Sequence, residues 1–138
     1  MHTCSSSVVP ILSGEKPFKA QCPQDDKERT EIEKIPYSST IGSLMYAQVC
    51  TRPDIAFAIS VLGRCLSNLG WSHWKVAKKV MRYLQGTKNY MVTYKRFGNL
   101  EVIGYSDFDF ASCVDDRKST SDYIFMMSGR AVSWKSTK

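Results

Sequence analysis

Acidic residues are missing from a third of this 138-residue chain: between Ile55 and Leu100 there is no aspartate or glutamate. That stretch cannot balance its own charge. It holds Arg64, Lys75, Lys78, Lys79, Arg82, Lys88, Lys95 and Arg96, while the rest of the chain carries 11 basic and 13 acidic residues. The net charge of +6 is therefore local. A local basic field favours a phosphate-rich or acidic partner, although a solvated helix face gives the same pattern. Cysteine is scarce and badly spaced. Cys4, Cys22, Cys50, Cys65 and Cys113 are odd in number and contain no CxxC pair. A zinc knuckle or a disulfide framework is excluded on that spacing, and reduced intracellular thiols are expected. No apolar run approaches a membrane span, so no membrane partner is expected. Val8 to Leu12 is broken by Pro10 and is too short for a secretory core. The two histidines, His2 and His73, have no neighbours that would complete a triad or a metal site, and Gly42, Gly63 and Gly70 form no phosphate-binding loop. What remains is 43% apolar and 12% aromatic, enough to build a core over much of the chain.

Three segments follow from composition and period. Residues 1–36 read as a polar tail punctuated by Ser5-Ser6-Ser7, Gly14, Pro17 and Pro23, with a short charged helix over Asp25 to Lys34 and Pro36 closing it. Residues 37–97 read as helical. A first helix over 38–49, capped by Ser38, Ser39 or Thr40, repeats Ile41, Leu44, Met45 and Val49. A second begins at Pro53, whose fixed φ suits the first helical position, with Asp54 in its first turn. Its stripe is Ile55, Ile59, Leu62 and Leu66, and Asn68 and Gly70 end it. A third, over 73–85, is capped by Ser72 and closed by Gly86 in a left-handed conformation. Trp74, Ala77, Met81 and Leu84 share one face of it, and His73 packs at its start. Lys75, Lys78, Lys79 and Arg82 fall at i, i+3, i+4 and i+7 on another face. The period then changes. Strands are expected over Tyr90–Lys95, Leu100–Phe110, Ser119–Met127 and Ala131–Ser136. Phe97-Gly98-Asn99, Val114–Lys118 and Ser128-Gly129-Arg130 are the expected turns, and residues 98–138 read as a β-meander. Such a sheet exposes an apolar face and an edge unless something covers them. The class is α+β.

Three motif groups carry a resemblance. The first is Ile41-Gly42-Ser43-Leu44-Met45-Tyr46-Ala47 with Thr51-Arg52-Pro53-Asp54-Ile55-Ala56. The second is His73-Trp74 with Arg82-Tyr83-Leu84-Gln85-Gly86-Thr87. The third is Gly104-Tyr105-Ser106-Asp107, Asp116-Arg117-Lys118-Ser119-Thr120-Ser121 and Val132-Ser133-Trp134-Lys135-Ser136. In this order and spacing the chain resembles the Pol polyprotein of copia-type LTR retrotransposons over nearly its whole length, most clearly from about Ile35. The resemblance implies that residues 37–97 correspond to the thumb- and connection-like end of a reverse transcriptase. It implies that residues 98–138 open a ribonuclease H-like sheet, with a boundary near 95–100.

It also implies a chemistry. An intact ribonuclease H cleaves the RNA of an RNA–DNA hybrid with two Mg²⁺ about 4 Å apart, held by a cluster of carboxylates. Asp107 matches the family's first carboxylate. Asp109 shares its face roughly 7 Å along the strand, and Asp115, Asp116 and Asp122 read as turn-formers. The family's next carboxylates lie on elements beyond Lys138, and the polymerase aspartates lie before Met1. Asp107 is therefore expected to be vestigial as catalyst and metal ligand, the chain to be no enzyme, and no cofactor to be bound. Ser112 and Asp122 also stand where the family has glycine, which removes backbone freedom there. The expected residual activity is weak, non-specific binding of an RNA–DNA hybrid or other nucleic acid by Arg64, Lys75, Lys78, Lys79, Arg82 and Lys88. Trp71, Trp74, Tyr83 and Tyr90 are aromatics that either stack on bases or pack in the core. Fragments of this shape also resemble secreted RxLR-type effectors of plant-pathogenic oomycetes. That resemblance implies delivery to the host cytoplasm or nucleus, a host plant protein as partner and suppression of defence-related cell death. The chain has no Arg-x-Leu-Arg; Arg82-Tyr83-Leu84-Gln85 comes nearest and falls within a helix.

Overall fold

A computed structural model of the chain describes residues 7–11, 26–66, 69–95, 100–109 and 119–137. Among the described residues four helices precede a sheet: α1 Asp26–Glu33, α2 Tyr37–Cys50, α3 Ala56–Gly63 and α4 Trp71–Gly86, then β1 Val102–Asp109, β2 Thr120–Met127 and β3 Arg130–Thr137. The sheet is an open antiparallel meander in the order β1-β2-β3. The α+β class stands. No described helix is long and apolar enough to cross a membrane.

The core belongs to the helices. Tyr37, Ile41 and Leu44 recur at i, i+4 and i+7, so α2 buries one narrow stripe. Ile55, Ala58, Ile59 and Leu62 meet it from α3 and the 3₁₀ turn Pro53–Ile55 before it. Val76, Ala77 and Val80 close the cluster from α4. Tyr37 completes it with polarity satisfied, its hydroxyl donating to the Leu62 carbonyl at 2.9 Å. Two expected core residues of α2, Met45 and Val49, are instead exposed, as is Leu66. Helical period alone offered them as a wider stripe, but the opposing helices cover only the Tyr37–Ile41–Leu44 side.

The helix ends differ from expectation in instructive ways. Residues Ser39 and Thr40 do not cap α2; their hydroxyls turn back to donate to the Pro36 carbonyl at 3.2 and 2.7 Å. Ser72 does not cap α4. Helix α4 starts at Trp71 with Gly70 before it, and the Gly70 amide donates to Nδ1 of the fully buried His73 at 3.0 Å. His73 thus closes the helix start from three residues inside it, as a capping-box glutamate does. At the far end Gly86 is not left-handed. Thr87 follows it with φ −108°, and its hydroxyl donates to the Tyr83 carbonyl at 2.9 Å, so a side chain does what a left-handed glycine was expected to do.

The segment 90–95, expected as a strand, forms no strand and joins no sheet. Tyr94 reaches β3 by its side chain only, donating to the Ala131 carbonyl at 2.7 Å. The other three strands are present. Ser128 and Gly129, at φ 51° and 74°, make the two-residue loop between β2 and β3; positive φ at both positions matches the strand twist. The expected turns at 97–99 and 114–118 lie outside the described residues. Gly104 makes room for a close approach: a Cβ there would sit 2.7 Å from the Phe125 ring, which lies across it and would have to shift. The sheet joins the helices through Trp134, whose indole N–H donates to the Gln48 carbonyl at 2.8 Å, and through Arg64, whose guanidinium donates to Thr120 Oγ1 at 3.3 Å. Its other face, with Val102, Phe108, Tyr123 and Phe125, is exposed, as the sequence implied.

Candidate nucleic-acid interface

Because Val76, Ala77 and Val80 are buried, the opposite arc of α4 faces outward. Lys75, Lys78, Lys79 and Arg82 occupy that arc, with no acidic residue in the helix. Lys75 and Lys78 are exposed, while Lys79 and Arg82 are half-buried, and the Arg82 Nε is buried with no hydrogen-bond partner. At 1.5 Å of rise per residue the four charges span roughly 10 Å of helix. Trp71 lies one turn before Lys75 on the same arc and is 38% exposed.

The remaining aromatics of α4 are occupied. Trp74 meets the Tyr37 ring edge-on at 6.5 Å between centroids, and the Lys78 ammonium lies 5.9 Å over the Trp74 ring. This is a cation–π contact that sets where Lys78 projects. Tyr83 is held at the end of the helix. Its hydroxyl donates to Asp54 at 2.7 Å, and the Arg52 guanidinium lies 5.4 Å over its ring. Arg52 also forks onto Asp54, with contacts of 2.9 and 2.6 Å, and donates to Thr87 at 2.7 Å. Burial pushes the Asp54 carboxyl up, but the Arg52 and Tyr83 hydrogen bonds and the Arg52 charge outweigh it and hold the carboxyl below the usual range. The sequence assigned Asp54 to the helix dipole; its larger part is this clasp between the starts and ends of α3 and α4. Nothing in the spacing of 54 and 83 reveals the pairing, since it depends on the crossing of two helices.

The other expected binding residues are less well gathered. Lys88 is exposed in the turn after α4. Arg64 follows α3 and is drawn to Thr120 on β2, so it anchors the sheet rather than extending the helix stripe.

Asp107 is exposed on β1, with its Oδ1 accepting the Phe108 amide at 2.9 Å. Directly across from it stands Asp122, which is a mid-strand residue and not a turn-former. Its own strand assignment in the sequence was the signal that it would share a sheet face. Across the next strand lies Ser136. These side chains line a cavity of about 250 Å³ with Asp54, Phe57 and Trp134. Asp122 Oδ1 is buried and meets no donor. Three carboxylates line it, but Asp54 is taken up by Arg52 and Tyr83, and the two that remain, with a hydroxyl, fall short of the acidic set that a pair of Mg²⁺ requires. Among the described residues no group of three or more His, Cys, Asp or Glu side chains is placed to hold a metal ion. The described residues therefore do not fit the two-ion centre. The side chain of Asp109 and the expected turn-formers Asp115 and Asp116 lie outside them.

The chain is similar to the retrovirus-related Pol polyprotein from transposon TNT 1-94 of Nicotiana tabacum, 46% identical over 130 residues, which are 93% of this chain and 10% of that protein. It is similar to the secreted RxLR effector protein 161 of Plasmopara viticola, 44% identical over 107 residues, 78% of this chain and 75% of the effector. The retrovirus-related Pol polyprotein from transposon RE2 of Arabidopsis thaliana is 36% identical over 102 residues, 74% of this chain and 7% of that protein. The chain thus spans about a tenth or less of the length of these polyproteins. No family model and no solved structure matches it.

Proposed function

The chain belongs to the retrovirus-related Pol polyprotein family of transposons, and on that premise we propose that it is a non-catalytic, copia-type remnant that binds nucleic acid. In this reading residues 37–97 are the end of a reverse transcriptase and residues 98–138 the opening sheet of a ribonuclease H. Residues 1–36 are a polar tail. The observation that carries the binding is the acid-free outer arc of α4, where Lys75, Lys78, Lys79 and Arg82 stand on a helix whose back is the core. Such a stripe meets phosphates without reading sequence. Asp107 is a vestige in this account, because Asp122 and Ser136 beside it do not complete a metal cluster.

The test is a titration of labelled oligonucleotide against salt. Four phosphate contacts give a slope of about −2.8 on single strands, so that raising salt from 50 to 200 mM weakens binding about 50-fold. Replacing Lys78 and Arg82 by Gln should halve that slope. A slope unchanged by those replacements removes the reading. Mg²⁺-dependent cleavage of a hybrid, lost in Asp107→Asn, would overturn the non-catalytic part.

The likeness to the secreted effector, covering three quarters of that protein, favours a second reading: action on a host plant protein inside the host cell, with suppression of cell death. Expression in leaf tissue beside a cell-death inducer tests it, and undiminished necrosis refutes it.

A further inference from the structure

We propose that Trp71 is a base-stacking residue that makes the α4 surface select unpaired over paired nucleic acid; this rests on the binding role of α4 argued above. Three observations place Trp71 apart from the other aromatics of the helix. Trp74 is engaged by Tyr37 and Lys78, and Tyr83 by Asp54 and Arg52. Trp71 has neither a ring partner nor a hydrogen bond among the described residues, and 38% of it is open to solvent. It stands on the same arc as Lys75, Lys78 and Arg82, at i, i+4, i+7 and i+11.

The chemistry follows from that order. Lysine and arginine hold the sugar–phosphate backbone of either a duplex or a single strand. An indole adds to this only when a base can leave its neighbours and lie on the ring. In a duplex the bases are already stacked and paired, so Trp71 contributes nothing there. In a single strand running along α4, a base at the amino end of the helix falls within its reach. The polarity of the stripe, one indole followed by cations, also fixes which end of the contact the stacked base occupies. The indole N–H can donate to a base carbonyl or a water. Stacking is indifferent to base identity, so the selection concerns strandedness and not sequence.

The experiment uses the full chain with a 20-nucleotide oligo-dT and a 20-base-pair duplex of mixed sequence, both end-labelled, in 50 mM salt. Trp71→Ala should weaken single-strand binding roughly tenfold, within the range that loss of one stacked base costs, and change duplex binding by no more than about twofold. Trp71→Phe should keep most of the affinity. Tryptophan quenching by unlabelled oligo-dT should be present in the unaltered chain and largely lost in Trp71→Phe, which leaves Trp74 and Trp134 as reporters. Circular dichroism of each variant checks that α4 persists; Trp71→Phe, which keeps a ring at the site, carries the quenching arm even where Trp71→Ala perturbs the helix. Equal weakening on both probes, or none on oligo-dT, overturns the stacking role while leaving the α4 reading in place. Failure of the unaltered chain to bind either probe overturns both.

Discussion

Replacing Tyr37 separates two forces that a single buried residue combines. Its ring sits in the helical core, only 2% exposed, and its hydroxyl donates to the Leu62 carbonyl. Tyr37→Phe removes the hydroxyl alone. The Leu62 carbonyl still accepts the Cys65 amide at 3.2 Å, so no orphaned acceptor is left. The cost is then that of one net hydrogen bond, about 1 kcal/mol, and not the larger penalty of an unsatisfied group. Tyr37→Ala opens a void among Ile41, Leu44, Ile59 and Leu62 and should cost about 3–5 kcal/mol. The two variants also differ at the surface. Trp74 rests edge-on against the Tyr37 ring and in turn carries Lys78, so only the alanine variant should disturb the basic arc. The hydroxyl has a signature in pH as well. Burial, then the nearby Cys65, pushes it above its ordinary value of 10.0. The unfolded chain therefore loses this proton first as pH rises. Tyrosine-linked stability is complete below pH 10 and declines above it, and Tyr37→Phe should flatten that alkaline limb. Urea unfolding followed by tryptophan fluorescence, at pH 7 and across pH 9 to 11, measures all of this. A loss above about 2.5 kcal/mol for the phenylalanine variant, or below about 1.5 for the alanine variant, would refute the packing described.

Three other outcomes are expected. Asp54 is held ionised by Arg52 and Tyr83, so its contribution is present above its ordinary value of 3.8 and fades as pH falls below it; Asp54→Asn should lower stability at pH 7 and flatten the acid limb of thermal unfolding. At the β2–β3 loop, Ser128→Asn should stabilise by a few tenths of a kcal/mol and Gly129→Ala destabilise by about 1–2, because both positions have positive φ; thermal melting reads both. Trp134→Phe leaves a ring but withdraws the indole N–H from Gln48, a last-turn carbonyl with no helical partner. It should cost about 1 kcal/mol, with faster hydrogen exchange at Arg130–Thr137 than at Ile41–Leu44.

The legible part of this chain was the part written in local period. The α4 charges, the Pro53 start and the Ser128-Gly129 turn depend on residues within a few positions of one another, and each is where the pattern placed it. What failed depended on distance along the chain. Met45 and Val49 have the right spacing for a core, but which side of α2 is covered is decided by α3 and α4. Ser72 and Gly86 are good capping residues, yet His73 and Thr87 take their places, held there by the Gly70 amide and by Arg52. Tyr90 to Lys95 has strand-like composition, but a strand needs a backbone partner, and only the Tyr94 side chain finds one. The Asp107–Asp122 pairing required the register of two strands joined through residues 110–118, which no periodicity supplies.

That register bears on how the two halves divide charge. Two carboxylates directly opposed across a sheet repel each other and weaken the pair. They also present a phosphate with the opposite of what α4 presents. If a nucleic acid strand follows the basic arc, it has no electrostatic reason to cross onto the Asp107–Asp122 side of the sheet. On the proposed reading the sheet, joined to the helices through Trp134 and Arg64, does not extend the binding surface. Removing charge at the sheet, as Asp107→Asn does, should then leave the salt slope of binding intact, whereas removing it from α4 lowers the slope in proportion to the charges lost.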